Sequence, residues 1–414
     1  MLIHVLRAVF GMALLLAAAA AFSRTPRRIS PRIVFAALAL QIAIGALILF
    51  VPPGRAALHA VANGADMVLS YGRDGTAFLF GGLVGPKMTA LFGGGGFVFA
   101  LQVLPQIIYI SALIAILYHF GVMQFVARVV GGAVRSLIGT SAIESFSAVL
   151  TIFLGQSEMP VALRPYLARL GTAELFTVMC AGPASVAGSV LAGYAALGVP
   201  MDYLIAASFM AIPGGLLFAK LLYPSADEPS MPAAALSLDE RAGGIFEAIS
   251  EGTNAGVRVA VAVAAMLVAF VSLIALVDGV LHGVGRWFGD ETVSLHGILG
   301  FALAPVAWAM GAPWSDCRAI GSLLGQKFAF NEFVAYVAMQ PMITAHMLSA
   351  RGTAIASFAL CGFANISTIG ILVGVYGGIV PERRAEIARL APRAVLGGAL
   401  SNAMSATIAG LFIG

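Results

Sequence analysis

The sequence predicts an all-α polytopic membrane protein: about eight transmembrane helices plus two re-entrant helical hairpins, arranged as an inverted repeat with broken helices. Three observations carry this. Of 414 residues, 60% are hydrophobic and only 10% charged, with a mean hydropathy of +0.97, whereas a soluble chain carries about a quarter charged residues. Next, the polar run Gly155-Gln156-Ser157-Glu158-Met159-Pro160 sits between apolar stretches too short to span; Ser141 to Leu154 would rise about 21 Å as a helix, against about 30 Å of bilayer core. Last, the pattern of short arm, polar pair and broken helix occurs twice.

The first part, residues 1–92, holds N-terminal peripheral helices and an external segment. Leu2 to Ser23 is apolar apart from His4 and Arg7 and is followed by Arg24, Arg27, Arg28 and Arg32. A cleaved signal peptide carries its charge before the apolar run, so this reads as a first span that starts outside. Val34 to Leu49 returns across, the arginines marking a cytoplasmic turn. Residues 51–92, with Arg55, Asp66, Arg73, Asp74 and Lys87 among glycines, read as external with short amphipathic pieces; re-entry of Phe78 to Phe97 stays open.

Residues 93–223 hold a third span, Val98 to Phe120, an interfacial helix, Val122 to Leu137, with Arg128 and Arg135, and the first hairpin, Ser141 to Leu170. Pro160 suits the first turn of the second arm and Gly155 the end of the first. Exposed backbone at a tip in mid-membrane is tolerable only beside protein or a polar cavity, which implies a site. Leu175 to Leu197 is interrupted at Gly182-Pro183-Ala184-Ser185, and Leu204 to Tyr223 spans. Residues 224–250 form a cytoplasmic loop with Asp227, Glu228, Asp239, Glu240 and Arg241.

The second repeat occupies residues 251–414. Arg258 to Leu281 spans, Trp287 and Phe288 sit at an interface, and Leu295 to Met310 is interfacial. Arg318 to Phe330 and Phe333 to Leu348 are hairpin arms meeting at Asn331-Glu332. Ser357 to Ile379 is broken at Gly362-Phe363-Ala364-Asn365; Arg383, Arg384, Arg389 and Arg393 mark an inside loop; Val395 to Ile413 crosses outward. Cys180-Ala181-Gly182-Pro183-Ala184-Ser185 lies against Leu360-Cys361-Gly362-Phe363-Ala364-Asn365. Paired broken segments in opposite orientation point to a transporter's midplane site.

Glu158 has no lysine or arginine within five residues. A carboxylate in such surroundings marks a functional site unless it is a satisfied structural group. Glu332 at the second tip is its counterpart. Asn365 and Thr368, three apart, share a helix face, although Thr368 alone could bond back to its own helix. Gln156, Ser157 and Asn331 add amides and a hydroxyl suited to a heterocycle edge, and carboxylates suit paired hydroxyls. Phe363 stacks on the heterocycle or simply packs. Cys180, Cys317 and Cys361 lack a histidine at usable spacing, and the absence of a phosphate loop or HExxH argues against a pump or protease. No enzyme activity and no cofactor is expected. The charge of +4 reads as topology, not nucleic-acid binding.

Four motifs in order, Gly155-Gln156-Ser157-Glu158 with Pro160, Ala184-Ser185-Val186-Ala187-Gly188-Ser189-Val190, Asn331-Glu332-Phe333-Val334-Ala335-Tyr336 and Cys361-Gly362-Phe363-Ala364-Asn365, resemble the concentrative nucleoside transporter family over nearly the whole chain. The resemblance implies a homotrimer in a bacterial inner membrane, in contact with lipid, with nucleoside as the substrate. It implies that Gln156, Ser157 and Glu158 face the base, lined by Val190, that Glu332, Asn365 and Thr368 face the ribose, and that Phe363 packs against the substrate. Sodium-coupled members hold the ion between the first tip and the broken helix. Here that set would be Thr151, Leu154, Ser185 and Val186, with threonine where those members have asparagine.

That departure leads to the expectation of proton symport, with Glu158 or Glu332 as acceptor, and sodium symport as the alternative. A nucleobase transporter and, less so, a channel remain alternatives.

Overall fold

The computed structural model describes all residues except 1, 93–96, 226–229, 231–242, 288, 290–292 and 414. The glycine run at 93–96, the loop charges at 227, 228 and 239–241, and Phe288 therefore lie outside the described residues.

The chain opens with α1 (Leu2–Ala21) and α2 (Pro31–Leu49), joined by a tight turn over the arginines. The segment expected as short pieces is instead one 29-residue helix, α3 (Pro52–Phe80), followed after a 3-10 turn by α4 (Pro86–Phe92). The Pro52-Pro53 start presets helical φ. Its glycines do not break it; Gly72 lets α3 lie against Gln106 and Tyr109, where a Cβ would collide. The third span is divided into α5 (Phe99–Gln102) and α6 (Leu104–His119), with Pro105 just after the division.

The helix α7 (Val122–Ile138) has left-handed glycines at both ends, Gly121 and Gly139 at φ 78° and 85°. It buries Met123, Ala127, Gly131, Val134 and Ile138 along one stripe while Arg128 and Arg135 stay exposed, the pattern of an interfacial helix.

A capping box formed by Ser141 and Glu144 opens α8 (Ala142–Ala162), which is two helical arms broken at Gly155. At φ 76° and ψ −179°, Gly155 occupies a region open essentially to glycine alone. The second arm therefore starts at Gln156, and the polar residues form its first turn; Pro160 falls just beyond that turn rather than in it. After α9 (Arg164–Leu167) come α10 (Thr172–Ala184) and α11 (Gly188–Ala196), two halves separated by Ser185-Val186-Ala187, then α12 (Met201–Leu222).

The next span is much longer than its apolar stretch. The helix α13 (Ile245–Trp287) runs 43 residues, about 65 Å at 1.5 Å per residue, so the loop expected over 224–250 is already helical from Ile245. Trp287 is exposed. Then follow α14 (Leu295–Ala309), and α15 (Cys317–Ala329) and α16 (Glu332–Thr344), the two arms meeting at Phe330-Asn331. The second broken helix is α17 (Ala350–Leu360) with α18 (Ile366–Ile379). The last helix, α19 (Arg384–Phe412), begins eleven residues before the expected start at Val395. The arginines read as an inside loop thus lie on a 3-10 turn and the first turns of that helix; Arg383 is anchored there on the Leu167 and Leu170 carbonyls and on Glu386.

Among the described residues, seven stretches are long and apolar enough to cross a bilayer. The eighth crossing is α17 with α18, whose halves are each too short to count alone. The helices sort into two environments. The crossing stretches Thr172–Ala196 and Met201–Leu222 are 89% buried, against 17% to 22% for those of α1, α2, α5 with α6, and α13. The inner group, α8, α10, α12, α17 and α19, packs together, while α13 lies along α6, and α14 along α15.

Candidate functional site

The two broken helices meet at their unwound stretches. Phe363 N–H donates to Ser185 O at 3.2 Å, and Asn402 of α19 donates from Nδ2 to Ala184 O and Cys361 O at 2.7 and 3.1 Å. These bonds use carbonyls that the ends of α10 and α17 leave without helical partners. The first hairpin tip rests on the same crossing: a Cβ on Gly155 would lie 2.6 Å from Ala187 Cβ, and one on Gly182 would lie 2.8 Å from Gln156 Cβ.

A cavity of about 180 Å³ opens beside this crossing. Its lining includes all eight residues expected to contact substrate: Gln156, Ser157, Glu158, Val190, Glu332, Phe363, Asn365 and Thr368. Glu332 is 4% exposed; it accepts from Tyr194 Oη at 3.1 Å and Asn365 Nδ2 at 3.2 Å. Asn365 caps α18, its Oδ1 accepting from Thr368 N at 3.0 Å and from Ser367 Oγ at 2.6 Å. That fixes which face of the amide meets Glu332. Gln156 Nε2 reaches Thr368 Oγ1 at 3.5 Å, linking the two halves.

Two buried polar atoms in this lining lack a partner: Gln156 Oε1, an acceptor, and Asn331 Nδ2, a donor. Buried polar groups are nearly always satisfied, so both atoms retain bonding capacity at this lining. Asn331 Oδ1 is already committed, capping α16 through Val334 N at 2.9 Å. A larger cavity of about 950 Å³ shares Leu154, Glu158 and Ser189 with the first and adds Arg258 and Glu251 of α13.

Tyr194, Ser367 and the α13 wall of Val259, Ala262, Val263 and Met266 were missed in the sequence. Val259, Val263 and Met266 follow helical spacing, but so does any face of an apolar helix. Tyr194 gave no signal beyond being one tyrosine in an apolar run.

Of the four residues expected around an ion, Thr151 and Leu154 lie on the first arm of α8, and Ser185 and Val186 lie at the break between α10 and α11. Thr151, Ser185 and Val186 are buried, and a Cβ on Gly188 would meet Ile152 O at 3.4 Å, so the break abuts the end of the first arm. Thr151 Oγ1 donates to Ser147 O at 2.7 Å, which commits its proton and leaves lone pairs for a cation. Cys180, Cys317 and Cys361 are free and buried.

Short hairpin arms and crossed broken helices around a polar cavity define a secondary transporter architecture. Residues 10–83 and 203–410 match the models "Na+ dependent nucleoside transporter N-terminus" and "C-terminus", and residues 100–201 match "Nucleoside recognition". The chain is 51% identical to a putative nucleoside permease, NupX, of Escherichia coli, covering 99% of both chains. It superposes on CNTnw in an inward-facing substrate-bound state with TM-score 0.94 and 49% identity, covering 99% of this chain and 98% of that one. A variant of the same protein in an outward-facing state gives 0.97 at 49% identity, covering 100% and 99%.

The chain belongs to the concentrative nucleoside transporter family. It is a transporter and not an enzyme, and a multi-pass protein of the bacterial inner membrane.

The expected proton coupling is overturned, because the family models spanning both ends of the chain are those of sodium-dependent transporters. Threonine in place of asparagine does not argue against sodium: a hydroxyl whose proton is held by Ser147 is still a hard oxygen ligand.

Proposed function

We propose that the protein imports nucleosides by sodium symport, through alternating access of the cavity between the two broken helices. The observation that carries this is the lining itself: one unpaired acceptor, one unpaired donor and two carboxylates around a volume of about 180 Å³. In this reading Gln156, Ser157 and Glu158 bond the base edge, with Val190 against it. Glu332, held by Tyr194 and Asn365, accepts from the ribose hydroxyls with Thr368 beside it, and Phe363 packs on the ligand. Sodium is held by Thr151 and Ser185 hydroxyls with the Leu154 and Val186 carbonyls, where its charge faces the carbonyl ends of the first arm.

The same reading includes a homotrimer, as the family resemblance implies. The mass of the purified detergent complex, corrected for bound detergent, checks that part.

The test is uptake of labelled uridine into proteoliposomes. Accumulation above the external concentration is expected under an inward sodium gradient at fixed pH and not without it. Uptake indifferent to sodium sinks the coupling, and competition by uracil as strong as by uridine shifts the substrate to the free base.

A further inference from the structure

Lys327 lies in the last turn of α15, five residues before Glu332, and has no exposed surface. A lysine in a membrane domain is expensive to bury and is retained where it works on something. Its Nζ donates to Ala359 O and to Asn402 Oδ1, both at 2.7 Å. Among the described residues no carboxylate stands within 4 Å of it.

Its partners show what it neutralises. Ala359 O is in the last turn of α17, and Asn402 is the amide whose other end holds Ala184 O and Cys361 O, at the ends of α10 and α17. Lys327 therefore stands at the negative ends of helices that stop in the middle of the protein. Glu332 lies five residues on, in the first turn of α16 across the same hairpin tip; it too is buried, and its side-chain partners Tyr194 and Asn365 are neutral.

We infer that Lys327 is the fixed counter-cation of the second repeat, a positioning residue that balances the substrate-facing carboxylate Glu332 and the carbonyl ends at the second break. The first repeat has no lysine at its break; in the sodium reading the oxygens of Thr151, Leu154, Ser185 and Val186 hold the ion there instead. A mobile ion and a tethered one thus serve corresponding places in the inverted repeat. That comparison rests on the sodium reading above, whereas the assignment of Lys327 does not.

The experiment is a double-mutant cycle on the full chain in detergent, without nucleoside, using Lys327→Met, Glu332→Gln and the pair. Lys327→Met is expected to lower Tm by about 5 °C or more, with Glu332→Gln on the same chain restoring at least half of the loss. Glu158→Gln on the Lys327→Met chain is the control and should restore nothing. Losses that simply add, or equal recovery by the Glu158 control, overturn the assignment. If Lys327→Met does not fold, folding of the Lys327→Met/Glu332→Gln chain supports it and failure of that chain overturns it. Uridine affinity read by calorimetry should fall about tenfold or more in Lys327→Met, and a change below twofold also overturns it. Wild-type protein that binds no nucleoside would sink the proposed function while leaving the Tm cycle readable.

Discussion

Glu332→Gln is the sharpest test of the sugar side of the cavity. In the native site both carboxylate oxygens are engaged, one by Tyr194 Oη and one by Asn365 Nδ2. A glutamine presents one oxygen and one N–H2 group. The obvious escape, rotating the Asn365 amide, is closed because its Oδ1 is held by Thr368 N and Ser367 Oγ. One donor is therefore left buried and unpaired, and in the proposed binding mode a ribose hydroxyl loses a charged acceptor. A hydrogen bond to a charged group contributes about 1.5–3 kcal/mol, which translates to a Kd raised roughly 10- to 150-fold. Isothermal titration of uridine into purified protein measures this, with proteoliposome uptake in parallel. A Kd within threefold of wild type would remove Glu332 from the ligand.

The other perturbations separate local roles. Gly155→Ala places a Cβ 2.6 Å from Ala187 on a backbone open essentially to glycine, a strain of about 1–3 kcal/mol; a lowered Tm and reduced uptake are expected, and a variant as stable and active as wild type refutes the tight tip. Asn331→Ser keeps a capping oxygen but removes the unpaired Nδ2, so uridine affinity should fall about fivefold with little change in Tm, and unchanged affinity would release Asn331 from the ligand. Thr151→Val deletes one hard oxygen at constant shape. The sodium concentration for half-maximal uptake should rise about tenfold, and an unaltered sodium curve removes Thr151 from the ion.

The site was more legible than the helix boundaries. Glu158, Glu332 and Asn365 announced themselves because isolated polar residues in an apolar background are costly, and glycine or proline near Glu158 and Asn365 marked the break. The start of α19 did not, since arginines read equally well as a loop or as the first turns of a helix. Glycines in α3 looked like breakers, but Gly72 serves close packing against α6, a contact that local sequence does not record. Lys327 was invisible as a buried group because its partners lie 32 and 75 residues away. The ion was misread because one side-chain exchange was weighed above the hardness of the oxygen it retained.

The wall that α13 lends to the inner cavity has a mechanical consequence. Every polar group in that lining comes from the two hairpins and the two broken helices, while α13 contributes only Val259, Ala262, Val263 and Met266. A ligand held there would owe all its hydrogen bonds to one side. Sliding that side along α13 would exchange hydrocarbon for hydrocarbon and break no polar contact to the cargo. The boundary would then act as a lubricated shear plane, with resistance to translocation at the rim, where Glu251, Asn254 and Arg258 line the larger cavity.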